Sequence, residues 1–134
     1  MTVGAGRATL ASQSREGNLD PQERLARHVV DILEENRATQ ITLLDLRPDT
    51  VLADFFVICT ATSERQIRAL VAYVRGSVRD DWQQLPFSIE GTHESGWQLL
   101  DYGAVVVHVF LGEVRRYYDL EGLWRDATVM VNIV

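Results

Sequence analysis

One seven-residue run limits the folds open to this chain more than any other feature. From Asp54 to Thr60 it reads Asp-Phe-Phe-Val-Ile-Cys-Thr. A half-buried strand alternates apolar and polar residues. A nearly unbroken apolar run suits a central strand buried on both faces. A second run, Ala104 to Leu111, is interrupted only by His108. Strands of this kind need cover, which implies one mixed sheet with helices packed on it.

Composition narrows the class. The 134 residues are 46% apolar and 24% charged, the balance of one globular domain with a real core. That excludes a wholly disordered tail, a collagen-like chain and a disulfide scaffold. Cys59 is the single cysteine, so no pairing within the chain is available and a reducing compartment is expected. No apolar run reaches the length of about 20 residues that a spanning helix needs. Residues 1–18 are small and polar, with Arg7 and Arg15 and no acid before Glu16. They lack the apolar centre of a secretory signal and read as a disordered leader, with an organelle transit peptide as the alternative.

Order begins at Asp20. Asp20-Pro21-Gln22-Glu23 is a capping arrangement, and Leu25, Val29, Ile32 and Leu33 then share a helical face as far as about Arg37. Ile41–Leu46 reads as a strand and Arg47-Pro48-Asp49 as a turn. After the Asp54–Thr60 strand, Ser63 caps a helix, with Gln66 reaching back. Ile67, Leu70, Val71, Val74 and Val78 form the apolar stripe of that helix, which ends near Asp80-Asp81. Phe87–Glu90, Gly96–Asp101 and Ala104–Phe110 read as strands, the last two joined by a two-residue turn at Tyr102-Gly103. Glu113 to about Arg125 reads as one final helix with Val114, Tyr117, Leu120 and Trp124 on one face. The tail, 127–134, is apolar and expected to lie against the body or a partner. The expected fold is α/β (α+β): a single mixed β-sheet of about five strands with flanking helices, in the order α-β-β-α-β-β-β-α.

Catalytic signatures are weak. His28, His93, His108 and Cys59 match no zinc spacing. Cys59 lies inside an apolar strand, where a thiol is ordinarily inert. Ser63 reads as a cap rather than a nucleophile. The Thr60–Ser63 loop offers a helix start to an anion but has no glycine for close phosphate approach. Asp54, Glu90 and Asp101 stand singly, never as the acid pair that metal-assisted nucleotidyl transfer needs. No catalytic residue, metal or cofactor is assigned.

Charge and patterning point instead to contacts. The net charge is −6 and all thirteen basic residues are arginine, a poor composition for generic nucleic-acid binding. Arg65, Arg68, Arg75 and Arg79 recur at near-helical spacing; such a stripe is ordinarily solvated, and the sharper reading is contact with an acidic partner or an RNA backbone. In the hairpin, a two-residue turn would pair Asp101 with Ala104, Leu99 with Val106 and Trp97 with His108. One face then carries Trp97, Leu99, Val106, His108 and Phe110, and the other Gln98, Leu100, Val105, Val107 and Val109. Both are largely apolar. One packs on the core, and the other needs either a helix, such as the terminal one, or a partner.

The chain resembles the ribosomal silencing factor, or Iojap-related, family. The matching runs are Asp54–Thr60, Thr62–Gln66, Glu90-Gly91, Gly96–Gly103, Val105–Phe110, Arg116–Glu121 and Leu123-Trp124, spread from about Pro21 to Ala127. The resemblance implies a nucleotidyltransferase-like sheet without the transferase acids, with the family domain at 19–126. It implies a regulator that binds the large ribosomal subunit through a protein on its intersubunit face, hinders docking of the small subunit, and lowers translation when nutrients are scarce. It is not an enzyme on this reading. The expected contact residues are Trp97, Leu99, Tyr102 and His108 of the hairpin, with Tyr117. A minor ribosomal RNA contact and a homodimer through tail and hairpin are compatible, and the expected location is cytoplasmic, with an organelle stroma or matrix as alternative. The competing readings are a large-subunit assembly factor and a nucleotide-binding enzyme. Ala104 stands where many relatives have an acid, and the leader lies outside the resemblance.

Overall fold

The computed structural model describes residues 20–48 and 50–134; the expected leader lies outside the described residues. The first helix, α1, spans Pro21–Glu35, and Asp20 caps it by accepting from the Gln22 amide at 2.9 Å. Strands β1 (Thr39–Asp45) and β2 (Phe55–Ala61) follow, then α2 (Glu64–Trp82). At the start of α2 the Gln66 amide donates to Ser63 Oγ at 3.0 Å, and Gln66 Oε1 accepts from the Thr62 amide at 2.7 Å. Strands β3 (Ser88–Thr92), β4 (Trp97–Asp101) and β5 (Val105–Leu111) complete the predicted set.

The strand order is β3-β4-β5-β2-β1-β6. The two apolar runs, β2 and β5, lie side by side at the centre and pair in parallel, Val57 opposite Val107 and Cys59 opposite Val109. The other pairings are antiparallel. Helices α1 and α2 cover one face, where Leu25, Val29 and Leu33 meet Leu70, Val74 and Val78 over Phe55, Val57, Val105, Val107 and Val109.

Three expectations are corrected. The sheet has six strands rather than about five, because the tail forms β6 (Thr128–Ile133) antiparallel to β1. Its β-branched residues fit a pleated edge, but it follows a short loop with no recognisable hairpin turn. The final helix is not continuous. It breaks into α3 (Gly112–Tyr118) and α4 (Leu120–Leu123) at Asp119, which adopts left-handed backbone angles (φ 49°, ψ 58°). Asp tolerates that conformation better than most residues, and Asp119 Oδ1 caps α4 by accepting from the Gly122 amide at 3.1 Å. Finally, the β4–β5 loop has three residues, not two. Asp101 Oδ1 accepts from the Gly103 amide at 2.7 Å and Gly103 takes φ 87°, so Asp101 pairs with Val106, Leu99 with His108 and Trp97 with Phe110. A two-residue slip preserves the faces, and the predicted division of side chains stands.

Candidate functional site

The second face of the sheet carries Leu44, Leu46, Phe56, Ile58, Val106 and Phe110. The helix pair α3–α4, through Val114, Leu120 and Trp124, covers it together with Trp97 and Leu99, so that each of these sheet side chains is buried and any open apolar surface lies on the covering layer. Over this face the aromatic rings form a connected series. Phe56 meets Trp124 edge-on at 6.1 Å between centroids and His108 at 4.6 Å. Trp97 stacks on Phe110 at 4.8 Å and meets Tyr118 at 4.8 Å, and Tyr118 meets Tyr117 at 5.1 Å. The series runs from core to solvent: Phe110 is sealed, Trp97 half-buried, Tyr118 52% exposed and Tyr117 81% exposed. Leu123 on α4 is a further exposed apolar side chain, at 72%.

His108 is the polar link in the series. Trp97 Nε1 donates to its Nδ1 at 3.2 Å, which places the ring proton on Nε2. Nε2 is buried without a hydrogen-bond partner. With 4% of the residue exposed, burial pushes the imidazole pKa down from 6.5 to about 4, so the ring is neutral near neutral pH.

A buried arginine fixes the helix pair. Arg115 donates to Thr60 Oγ1 at 2.8 Å, to Thr42 Oγ1 at 3.3 Å and to the Gln40 carbonyl, and it pairs with Glu121. One guanidinium thus ties α3 to β1 and β2 and, across the Asp119 break, to α4. Beside it an open groove of about 560 Å³ runs between the helix pair and β1–β6, lined in part by Thr42, Arg116, Trp124 and Val129.

The predicted contact residues separate. Trp97, Leu99 and His108 come together on the second face. Tyr102 lies on the opposite side, 2% exposed in the core against the α1–α2 layer, and burial pushes its phenol up to about 12. Tyr117 is fully on the surface and reaches Trp97 only through Tyr118. Sequence reasoning missed Tyr118, Arg115 and Leu123. The expected stripe put Tyr117 on the packed face, whereas within α3 it is Tyr118, four residues after Val114, that meets Trp97; the signal for the helix break was Asp119 three residues before Gly122, a cap spacing.

The other candidate segments are engaged internally. Thr60 Oγ1 donates to Gln40 Oε1, Thr62 bonds to Gln66 and Arg68 lies 3.1 Å from His93 Nε2. In the arginine stripe on the outer face of α2, Arg79 pairs with Asp80. Among the described residues, no three His, Cys, Asp or Glu side chains come together as metal ligands would, and no helix is long and apolar enough to cross a membrane.

Comparison with known proteins gives a consistent set. Residues 19–133 match the profile of a family described as ribosomal silencing factor during starvation. A Halalkalibacterium halodurans protein named ribosomal silencing factor RsfS is 34% identical over 105 residues, spanning 78% of this chain and 89% of that one. A mouse protein named mitochondrial assembly of ribosomal large subunit protein 1 is 33% identical over 98 residues, 72% of this chain and 43% of its own length. A crystal structure of a Chromobacterium violaceum protein superposes with a TM-score of 0.72 at 34% identity, covering 87% of this chain and 97% of that one.

Proposed function

This chain belongs to the ribosomal silencing factor family, and on that premise we propose that it binds the large ribosomal subunit and keeps the small subunit from joining. The contact is with a ribosomal protein on the intersubunit face. The effect is repression of translation when nutrients are limiting, exerted by occupancy without catalysis. The observation that carries this reading is the aromatic series that starts in the sheet and opens to solvent at Tyr118 and Tyr117. Ordered, partly buried aromatic anchors are the residue type on which interface energy concentrates. Tyr117, Tyr118 and Leu123 touch the partner, together with the exposed parts of Trp97 and Leu99. His108, buried, supports the surface from within, whereas Tyr102 is buried on the opposite face and takes no part in the contact. Ribosomal RNA contact is secondary, through the arginine stripe. The site of action is where the ribosomes are: the cytoplasm or, as the alternative, an organelle stroma or matrix.

Steric exclusion needs affinity rather than chemistry. Micromolar binding corresponds to about 8 kcal/mol and nanomolar to about 12, so a few anchors of about 2 kcal/mol each would decide the outcome. Tyr117→Ala combined with Leu123→Asp changes only exposed side chains. The double variant should keep the fold and lose co-sedimentation with isolated large subunits, with at least about a thirtyfold fall in affinity. Trp97→Ala should do the same at some cost in stability. A folded double variant that still co-sediments normally would remove this surface from consideration.

A second reading, assistance to large-subunit assembly, is favoured by the name of the mouse relative. The two part in a joining assay. Silencing predicts that added chain lowers the yield of joined particles from purified subunits. Assembly predicts no such effect, with large-subunit precursors accumulating when the chain is depleted.

A further inference from the structure

His108 is the one polar side chain on β5, an otherwise apolar strand, and it sits there at a cost. Its Nε2 is buried without a hydrogen-bond partner, and an unpaired buried donor is destabilising. A leucine of similar volume would fill the place without that cost. A polar group kept under such conditions needs a reason, and its other ring nitrogen supplies one.

Stacking leaves one thing about Trp97 undecided. Trp97 stands diagonally across from His108 on the neighbouring strand. Its ring lies on Phe110 at 4.8 Å and 25° and against Tyr118 at 4.8 Å. Those contacts set the plane of the indole. They do not set which edge points inward, because the tryptophan χ2 torsion is broad and roughly two-fold, and a ring turned over would still lie on Phe110. The hydrogen bond from Trp97 Nε1 to His108 Nδ1, 3.2 Å long, makes the choice. A turned ring would carry away its only donor and leave Nδ1 as a second unpaired atom in the interior. His108 is itself held in place, edge-on to Phe56 at 4.6 Å and near-parallel to Phe110 at 6.2 Å and 12°.

We propose that His108 is a positioning residue for the large-subunit contact: it sets which edge of Trp97 faces the partner. The role rests on the ribosome-contact reading of this surface. It also defines the chemistry on the other side. The indole has one polar group, and that group is spent on Nδ1, so Trp97 presents carbon alone and the patch seated on it is apolar.

Two measurements test this. In the nitrogen-labelled wild-type chain, the Trp97 indole N–H, assigned by its absence in Trp97→Phe, should give a single resonance and exchange slowly with water. Co-sedimentation with isolated large subunits then compares variants. His108→Leu should speed exchange of that indole proton and weaken binding about tenfold, the scale of one misplaced anchor. His108→Asn, whose Oδ1 takes the place of Nδ1 as acceptor, should recover both. A role in packing alone predicts no such rescue, since asparagine is the smaller and more polar replacement. If His108→Leu misfolds, the wild-type spectrum and His108→Asn decide. Fast exchange of the wild-type indole proton would overturn the proposal, as would normal binding by His108→Leu where Trp97→Ala has lost it. Normal binding by Trp97→Ala would overturn the reading of the surface, and the proposal with it.

Discussion

Acid should weaken this fold through one imidazole. In the native state burial holds the His108 pKa near 4, against 6.5 for the free side chain. Between those values the unfolded chain binds a proton that the native chain does not, so stability rises with pH. The contribution is fully present above about pH 6.5 and is lost as pH falls towards 4. At about 1.4 kcal/mol per pH unit, the whole interval is worth about 3 kcal/mol, a large share of the 5–15 kcal/mol that typically stabilises a domain. The residue is almost fully buried, so solvent screening removes little of it. His28, partly buried beside Ser77 and Asp81, is also held low, chiefly by desolvation, and acts in the same direction. Asp45 is lowered by Arg47, and its contribution is lost only at more acid pH. His108→Leu removes the titrating group at similar volume, leaving Trp97 Nε1 to find water at the half-buried ring. Urea unfolding followed by tryptophan fluorescence at about pH 7 and about pH 4.5 should show the wild type losing about 2–3 kcal/mol more than the variant. Equal losses in the two proteins would refute the reasoning, whatever the absolute stability of the variant.

Three further outcomes follow from packing. Arg115→Ala strands Glu121 and removes the tie to Thr42 and Thr60, and should cost about 3 kcal/mol in urea unfolding; a loss under about 1 kcal/mol would mean that the pair contributes nothing net. Gly91→Ala would place Cβ 2.3 Å from the Trp97 carbonyl oxygen at φ 80° and should cost about 2 kcal/mol or more, whereas Gly76→Ala inside α2, with 3.8 Å of clearance, should gain up to about 1 kcal/mol; thermal melts that rank the two alike would contradict this. Cys59 is buried with its thiol pushed up to about 12 by desolvation, so thiol reagents at neutral pH should label it only when the sheet opens; rapid native-state labelling would place it elsewhere.

What could be read from the residues was whatever local physics decides alone. Asp20 and Ser63 as caps, the stripes of α1 and α2, and the doubly buried β2 each follow from spacing over a few residues. The faces of the hairpin were also legible, because side-chain alternation survives a two-residue slip in pairing. The slip was not, since it depends on Asp101 bonding across a three-residue loop. The apolar spacing from Val114 to Trp124 predicts a continuous helix, and the cap at Asp119 competes with that pattern. Tyr102 was misplaced for a different reason: loop residues are ordinarily exposed, and only the fold turns this one under α2. Arg115 could not be found at all, because its partners on β1 and β2 lie 55–75 positions away.

The parallel pairing of β2 with β5 has a consequence for how the chain comes into being. Residues 55–61 pair with β1 on one edge but meet their neighbour on the other only at 105–111, so the middle of the sheet cannot close until most of the polypeptide has been made. Until then β2 has β1 beside it and α1 over one face, but its other edge is unpaired and its second face lacks the cover of α3 and α4, which follow residue 111. Closure across that much intervening chain is slow, and the nascent protein passes through a stage in which its own centre is its chief aggregation hazard.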